Sequence, residues 1–583
     1  MMARVTKGSL GRRVEASRWS RRIVGAVALF MAAAPVTAQG AAAPVGEADV
    51  PVSTDTLTWV RSPRIASPGL SGAALSDRLT DSVSAAQALR VAPLFTVPVP
   101  TPAPVTSGPM TSGDDESQEE EPWTDAWGQE KSFGLALVGT LAGNIVPWAF
   151  NELVPGRQEL KISQISPRSW GRNVRRGWQW DDNAFQVNFF AHPFQGNIYY
   201  NAARSNGYNY WQSLGFSTFG SFTWECCGET HLMSLNDWVM TSLGGAAVGE
   251  ALYRTTSMIL DNTARGRERV VREVAAGLLN PTRGFTRLVT GNTMRVYENP
   301  EDRADRDPEE LELMLNSGVR WGNSFRKARG GEIEDELPLH GFVEADLFYG
   351  TLAGLRRQKP FDFFRMGIQV NFISGRPIGE LRVRGNLWHN NISDPEEKVQ
   401  KFVITQDFEF NSNPTYERGG TGVSLMYYRE HRLGDDNAIA WNVAPSWTLL
   451  GGVDALPAKI LSEIEGARER FREYDFGIGP GASAGLNWVR KNRQILMARY
   501  EVRYLDVVNG SNGYGFDAHH TTQLFSVRGF IPLPFQNLSL GVDWELFLRN
   551  SYYEWEDIGN VNQRAPIFHV FASWNPGRGN WFE

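Results

Sequence analysis

The amino-acid sequence predicts an α+β protein, in which a small helical domain precedes a C-terminal antiparallel outer-membrane β-barrel of about 12 strands. Three observations carry this prediction. The first residues have the order of an export signal. The middle of the chain repeats its apolar residues at helical spacing, and from about residue 312 the period falls to two. The 583 residues exceed one ordinary domain. A net charge of −7, with no long basic region, excludes a general nucleic-acid binder. Only two cysteines are present, Cys226 and Cys227, which excludes a disulfide-stapled scaffold and a cysteine-rich zinc module.

Residues 1–38 read as a signal peptide. Arg12, Arg13, Arg18, Arg21 and Arg22 precede the apolar run Ile23 to Val36, and Val36-Thr37-Ala38 supplies the small residues of a cleavage site. Sec export is expected ahead of twin-arginine export. Residues 39–125 read as a disordered linker. A polyproline-like stretch (Pro93, Pro98, Pro100, Pro102, Pro104) and an acidic run from Asp114 to Glu121 leave too little apolar area to offset chain entropy. Phe133 to Phe150 is apolar, but Gly134, Gly139, Gly143, Asn144 and Pro147 dilute it. A packed or interfacial helix is therefore expected there in preference to a membrane span.

Residues 126–295 form the expected helical domain. The spacing predicts helices over Gln195–Ser205, Tyr210–Cys227, Leu235–Leu260 and Arg265–Leu279, the last closed by Pro281. Glu250 and Arg254 are spaced for an i, i+4 pair, and Gly245 with Gly249 lets a second helix approach closely. From Arg265 to Arg287, arginines flank Val270, Val271, Val274, Leu278 and Leu279. Such a basic amphipathic segment either lies on anionic headgroups or faces water.

Residues 312–583 form the expected transmembrane barrel. In Ile495 to Tyr504, Leu496, Ala498, Tyr500 and Val502 alternate with Met497, Arg499, Glu501 and Arg503. Glu380 to Leu387, Phe364 to Phe372, Leu538 to Leu548 and Phe568 to Trp574 alternate in the same way, separated by turn residues such as Ser374-Gly375, Asn509-Gly510 and Pro534. Charges as dense as Arg382, Arg384, Glu501 and Asp543 cannot enter a sandwich core without severe desolvation, yet they fit a wet lumen. Trp388, Tyr427, Tyr428, Trp488, Tyr504 and Trp574 sit near strand ends, where aromatic girdles lie.

Within the helical region an ordered series of motifs stands out. Trp180-Asp181-Asp182-Asn183 is followed by His192-Pro193-Phe194-Gln195-Gly196 and then by Tyr199 through Gly207. Ser221-Phe222-Thr223-Trp224-Glu225, Ser234-Leu235-Asn236-Asp237, Gly244 through Glu250, and Asn280-Pro281-Thr282-Arg283-Gly284 complete it. This series resembles the bacterial domain-of-unknown-function family 3943, found in exported envelope proteins of Gram-negative-type bacteria. The resemblance covers roughly residues 170–295 and implies a location and an architecture, with no mechanism attached.

The strongest polar constellation is His192, Glu225 and Asp237 as acid/base candidates, with Tyr200, Arg204, Trp211, Glu229 and Asn236 as binding candidates. A His, a Glu and an Asp from three helices supply a general base, an orienting carboxylate and a metal ligand or second acid. The alternative is that these groups brace packed helices, with Arg204 paired to Glu225 or Asp237. No Gly-x-Ser-x-Gly elbow accompanies Ser217, Ser221 or Ser234. No His-Glu-x-x-His is present, and His519-His520 are expected in a surface turn, so neither a metal nor a cofactor is expected. Adjacent Cys226 and Cys227 are expected as buried thiols, because a ring between neighbours is strained.

Three functions follow from this reading. The first is a structural or lipid-handling outer-membrane protein, whose helices plug the barrel or sit at its periplasmic mouth. The second is a lipid-modifying hydrolase using His192 and Glu225, and the third a gated channel. The expected partners are outer-membrane lipids and, during insertion, the barrel-assembly machinery. Oligomeric state stays open, since lipid-facing residues look alike whether they meet acyl chains or another barrel.

Overall fold

The computed structural model describes residues 131–153, 162–181, 183–299 and 311–578, apart from connections at 329–330, 353–358, 374, 392–397, 434–435, 455–473, 492, 509–516, 536 and 555–559. The expected signal peptide and linker, and several of the expected turns, lie outside the described residues.

Among the described residues, helices dominate from Phe133 to Val289. In order they are α1 (Phe133–Gly143), α2 (Ile145–Leu153), α3 (Pro167–Arg176), α4 (His192–Arg204), α5 (Tyr210–Thr223), α6 (Leu235–Val239), α7 (Gly245–Ile259), α8 (Gly266–Leu279) and α9 (Pro281–Val289). Three π-helical turns, Val187–Ala191, Trp224–Gly228 and Met240–Gly244, extend α4 and α5 and join α6 to α7. The helical runs are therefore longer than their α portions: residues 185–204, 210–228 and 235–259 are each unbroken. Local chemistry sets their starts. Asn209 caps α5 by accepting from Gln212 N, and Asn280 caps α9 by accepting from Arg283 N. Pro281, expected only as a stop, also opens α9, because its fixed φ and missing N–H suit a first helical position.

Among the described residues, twelve antiparallel strands follow in a simple meander. They are β1 (Leu311–Ala328), β2 (Gly331–Tyr349), β3 (Phe364–Asn371), β4 (Ile378–Asn391), β5 (Lys398–Ser412), β6 (Glu417–Arg432), β7 (Asn437–Asp454), β8 (Tyr474–Arg490), β9 (Arg493–Val507), β10 (Ala518–Pro532), β11 (Leu538–Tyr553) and β12 (Asn560–Arg578). Each pairs with its neighbour, and β1 closes on β12.

Contacts between strands that are not neighbours identify the inner face. Arg528 on β10 reaches Glu344 on β2 at 2.8 Å, and Arg503 on β9 reaches Glu409 on β5 at 2.6 Å. Tyr416, beside β6, donates to Glu545 on β11 at 2.6 Å. The charged residues therefore face the lumen, and their alternate neighbours face outward. On the far side of the barrel these outward residues (Val542, Trp544, Phe568, Val570) are exposed, forming an apolar wall. Tyr428 departs from the expected girdle: it is buried, and its hydroxyl donates to Glu430.

On the near side the outward residues are buried, because the helices cover them. Val383 and Phe408 alternate with lumen-facing Arg382, Arg384, Asp407 and Glu409, yet are only 1% and 2% exposed. Phe364, Phe410 and Phe476 are equally enclosed. Phe189 lies over Gly419 and Gly452, where an added Cβ would stand 2.8 and 2.3 Å from its ring. Phe185 stacks on Phe410, and Trp180 meets Phe476. The helices thus pack on the outer wall of the barrel. This corrects the expected plug or periplasmic-mouth placement: the lumen is filled by its own ion pairs, whereas the outer wall offers glycine hollows that fit aromatic rings.

Two further expectations are corrected. Of the packed or interfacial helix expected at Phe133–Leu153, the packed form is not found: the segment is largely uncovered and, with mean hydropathy 1.5, is long and apolar enough to cross a membrane. It touches the other helices through small residues, Gly139 against Ala202 and Gly143 against Tyr199. In α8 and α9 most of the arginines do not face headgroups or water: Arg269, Arg272, Arg283 and Arg287 are buried, whereas Arg265 and Arg267 at the start of α8 are exposed together with Val270, Val271, Val274, Leu278, Leu288 and Val289.

Candidate functional site

The polar constellation assembles around the start of α4. His192, the first residue after the turn Val187–Ala191, places Nε2 3.3 Å from Asp237 Oδ1 and Nδ1 3.4 Å from Thr241 Oγ1. Asn236 Nδ2 donates to Asp237 Oδ1 at 2.8 Å and to Asp181 Oδ1 at 2.7 Å. Asp181 also accepts from Asn188 Nδ2 at 2.9 Å. Glu225, inside the turn Trp224–Gly228, accepts from Ser234 N at 2.7 Å, while the Ser234 hydroxyl donates to Asn236 Oδ1. His192, Glu225, Asn236 and Asp237 are all buried. All three π-helical turns meet at this cluster. A π turn widens the helix locally and re-aims its side chains, and such turns recur at functional sites.

The cluster opens into a cleft of about 360 Å³, whose lining includes Asp181, Glu229, Ser234, Arg172, Arg176 and His231. Glu229 lies in the connection after Trp224–Gly228. Burial, and then the neighbouring Asp181, push its carboxyl up to about 8. A histidine held by an aspartate, with further carboxyl groups alongside, has the composition of an acid–base site. The site is tied to the barrel, since Asn188 hydrogen-bonds the hydroxyl of Tyr474 on β8, and that hydroxyl donates to Asn183 O at 2.7 Å.

Of the residues singled out by sequence, the structure brings together His192, Glu225, Asp237, Glu229 and Asn236. Tyr200 and Arg204 belong elsewhere. Arg204 Nε and the Tyr200 hydroxyl both donate to Glu250, at 2.8 and 2.7 Å. Arg254 completes this second cluster: its Nε lies 2.8 Å from Glu250, as the i, i+4 spacing predicts, and it bridges to the barrel through Asp362 at 3.0 Å. The expected pairing of Arg204 with Glu225 or Asp237 is thereby replaced. Trp211 joins neither cluster; it is half exposed, against Tyr210. Asp181 was missed as a site residue, although its place in the Trp180-Asp181-Asp182-Asn183 motif marked it.

Other expectations resolve locally. Ser217 donates to the carbonyls of Gly196 and Thr241, and Ser234 caps α6. Among the described residues, the buried Ser221 hydroxyl finds no partner. Cys226 and Cys227 are joined by a disulfide within the turn Trp224–Gly228, in place of the expected free thiols. His519 and His520 lie in β10 and not in a turn: His519 stacks between Tyr504 and Tyr552, and His520 bonds Ser551 in the lumen. No group of three or more His, Cys, Asp or Glu side chains suited to a metal ion occurs among the described residues.

A family model, domain of unknown function 3943 (DUF3943), matches residues 177–282, which hold every residue of both clusters apart from the barrel partners. No curated protein matches the chain. Among solved structures, the chain is similar to the outer membrane protease OmpT from Escherichia coli, at 7% identity over 46% of this chain and 97% of that one, with a TM-score of 0.19. It is also similar to the NanC porin, at 9% identity over 44% and 98%, TM-score 0.20. A FadL homologue from Pseudomonas aeruginosa matches at 8% identity over 48% and 93%, TM-score 0.18. The case for a membrane barrel stands independently of these, on the apolar wall and charged lumen.

Proposed function

We propose that the protein is a lipid-handling protein of the bacterial outer membrane. In this reading Sec export delivers the chain, the barrel anchors it, and the bundle holds a polar site against the barrel's outer side, where lipid headgroups pass. The observation that carries the reading is the buried His192–Asp237 pair with Glu225, joined through Asp181 and Ser234 to a cleft and built on the outer wall. A protein that only scaffolds the envelope has no need of a buried histidine among carboxyl groups, because such groups cost stability unless they are used or fully paired.

A second reading is an enzyme that modifies an outer-membrane lipid, with His192 as base, Asp237 as its orienting partner and Glu225 as second acid. The convergence of the three π-helical turns on these residues favours it. The channel reading loses support, since ion pairs between non-adjacent strands, Arg528–Glu344, Arg503–Glu409 and Arg418–Glu501, cross-link the lumen.

Mass spectrometry of outer-membrane lipids tests both readings. Cells would lack the protein, carry wild type, or carry His192→Ala or Glu225→Gln at matched folded levels. Lipid handling predicts a profile that differs between null and wild type. The enzyme predicts a lipid species that either variant abolishes. Identical profiles in all four strains overturn both.

A further inference from the structure

The bundle has its polarity reversed relative to a water-soluble one. On α8, Arg269, Arg272 and Glu273 are buried while Val270, Val271, Val274 and Leu278 are 50–61% exposed. On α9, Arg283 and Arg287 are buried and Phe285, Leu288 and Val289 are 58–66% exposed. On α5, Ser213, Ser217 and Ser221 face inward, and Trp211, Phe219 and Phe222 face outward. Along α1 and α2, Val138, Leu141, Ile145 and Val146 are exposed. In water this arrangement forfeits the hydrophobic driving force on the outer faces of these helices.

We infer that the bundle is embedded in the lipid layer beside the barrel, with acyl chains as the occupant of its outer surface. Three independent features support this. First, the buried charges are satisfied within the protein, as a low-dielectric surrounding demands. Arg287 bonds Glu273 at 2.7 Å and Asn262 at 2.9 Å, and Arg269 lies 3.0 Å from Glu273. Arg283 bonds Tyr253 O, Thr256 and Ser257. Second, the length fits. The unbroken helical runs 185–204, 210–228 and 235–259 span about 28–37 Å at 1.5 Å per residue, close to the hydrocarbon thickness of about 30 Å. Third, the bundle's apolar surface continues that of the barrel wall on which it sits, and that wall already faces lipid. The inference rests on the barrel spanning the membrane and is independent of any chemistry at His192.

Full-length protein in phosphatidylcholine vesicles provides the test. Nitroxide labels at Leu141→Cys, Phe219→Cys or Val274→Cys are compared with Val570→Cys on the barrel's free wall and Glu332→Cys at a strand end, by collision with oxygen and with a water-soluble nickel chelate. The expected oxygen-to-nickel ratio at the three bundle positions equals that at Val570 and exceeds that at Glu332. A ratio like that of Glu332 overturns the inference in favour of water. Exclusion of both relaxants also overturns it, in favour of a second copy or another protein covering the face. A second measurement needs no label on the bundle: vesicles with brominated acyl chains are expected to quench Trp211, read as the difference between wild type and Trp211→Phe. No quenching from Trp211 contradicts the inference.

Discussion

Removing the carboxylate of Glu250 should release the helices from the barrel. Glu250 is fully buried and accepts from Arg204 Nε at 2.8 Å, Arg204 NH2 at 3.2 Å, Arg254 Nε at 2.8 Å and Tyr200 at 2.7 Å. Glu250→Ala leaves two guanidinium groups without their shared counter-charge. Breaking a buried pair in this way costs about 3–5 kcal/mol. Arg254 keeps Asp362 and Pro360 O, and Arg204 keeps Tyr208 O and the ring of Tyr253. The low end, about 3 kcal/mol, is therefore expected, at most roughly a hundredfold in the docking equilibrium. Because Arg254 links this cluster to the barrel, part of the loss falls on docking, and the barrel stays closed. Limited proteolysis in membranes reads the release, and heat-modifiable mobility confirms the intact barrel. Glu250→Gln keeps an acceptor and should lie between the two. Protection of the helices in Glu250→Ala equal to wild type would refute the reasoning.

Gly452→Val should also undock the helices, since its side chain meets the Phe189 ring; overpacking of this kind costs about 1–3 kcal/mol, and the same proteolysis assay reads it. Folded protein in planar bilayers should show no steady conductance, because ion pairs cross the lumen; a stable open level would contradict this. The stability of the helical part should fall as pH rises from about 4.5 to about 8. Folding raises the Glu229 carboxyl from 4.5 to about 8, so the folded state holds a proton that the unfolded chain gives up in this window. Glu229→Gln should flatten the slope in chemical denaturation across that range, and an unchanged slope would remove Glu229 as its cause.

The barrel was legible because strand alternation needs no tertiary information. Arg499, Glu501 and Arg503 at every second position already divide inside from outside. Helix positions were legible for a similar reason, down to the Glu250–Arg254 pair. What sequence could not give is which face of a helix turns inward. The period of α8 is the same whether its arginines or its valines are buried, and the usual assumption of surrounding water selects the wrong face. The site was half legible. His192, Glu225, Asn236 and Asp237 stood in the motifs, but Arg204 lies twelve residues beyond His192, about 18 Å along a helix, too far to serve the same cluster. The π-helical turns that aim the site left no signal, since they differ from α-helix by a shift of one hydrogen-bond register. Docking on the outer wall rests on glycines, Gly419 and Gly452, whose role is visible only when Phe189 stands over them.

The placement of the helices outside the barrel is the claim on which the rest depends, and neighbouring residues of β5 test it. An added Cβ at Gly244 would meet the ring of outward-facing Phe408 at 3.1 Å, whereas the next residue, Glu409, faces the lumen. A short bis-maleimide applied to membranes should cross-link Gly244→Cys to Phe408→Cys and leave the Gly244→Cys, Glu409→Cys pair unlinked. Cross-linking through Glu409→Cys instead would put the helices in the lumen and contradict the account.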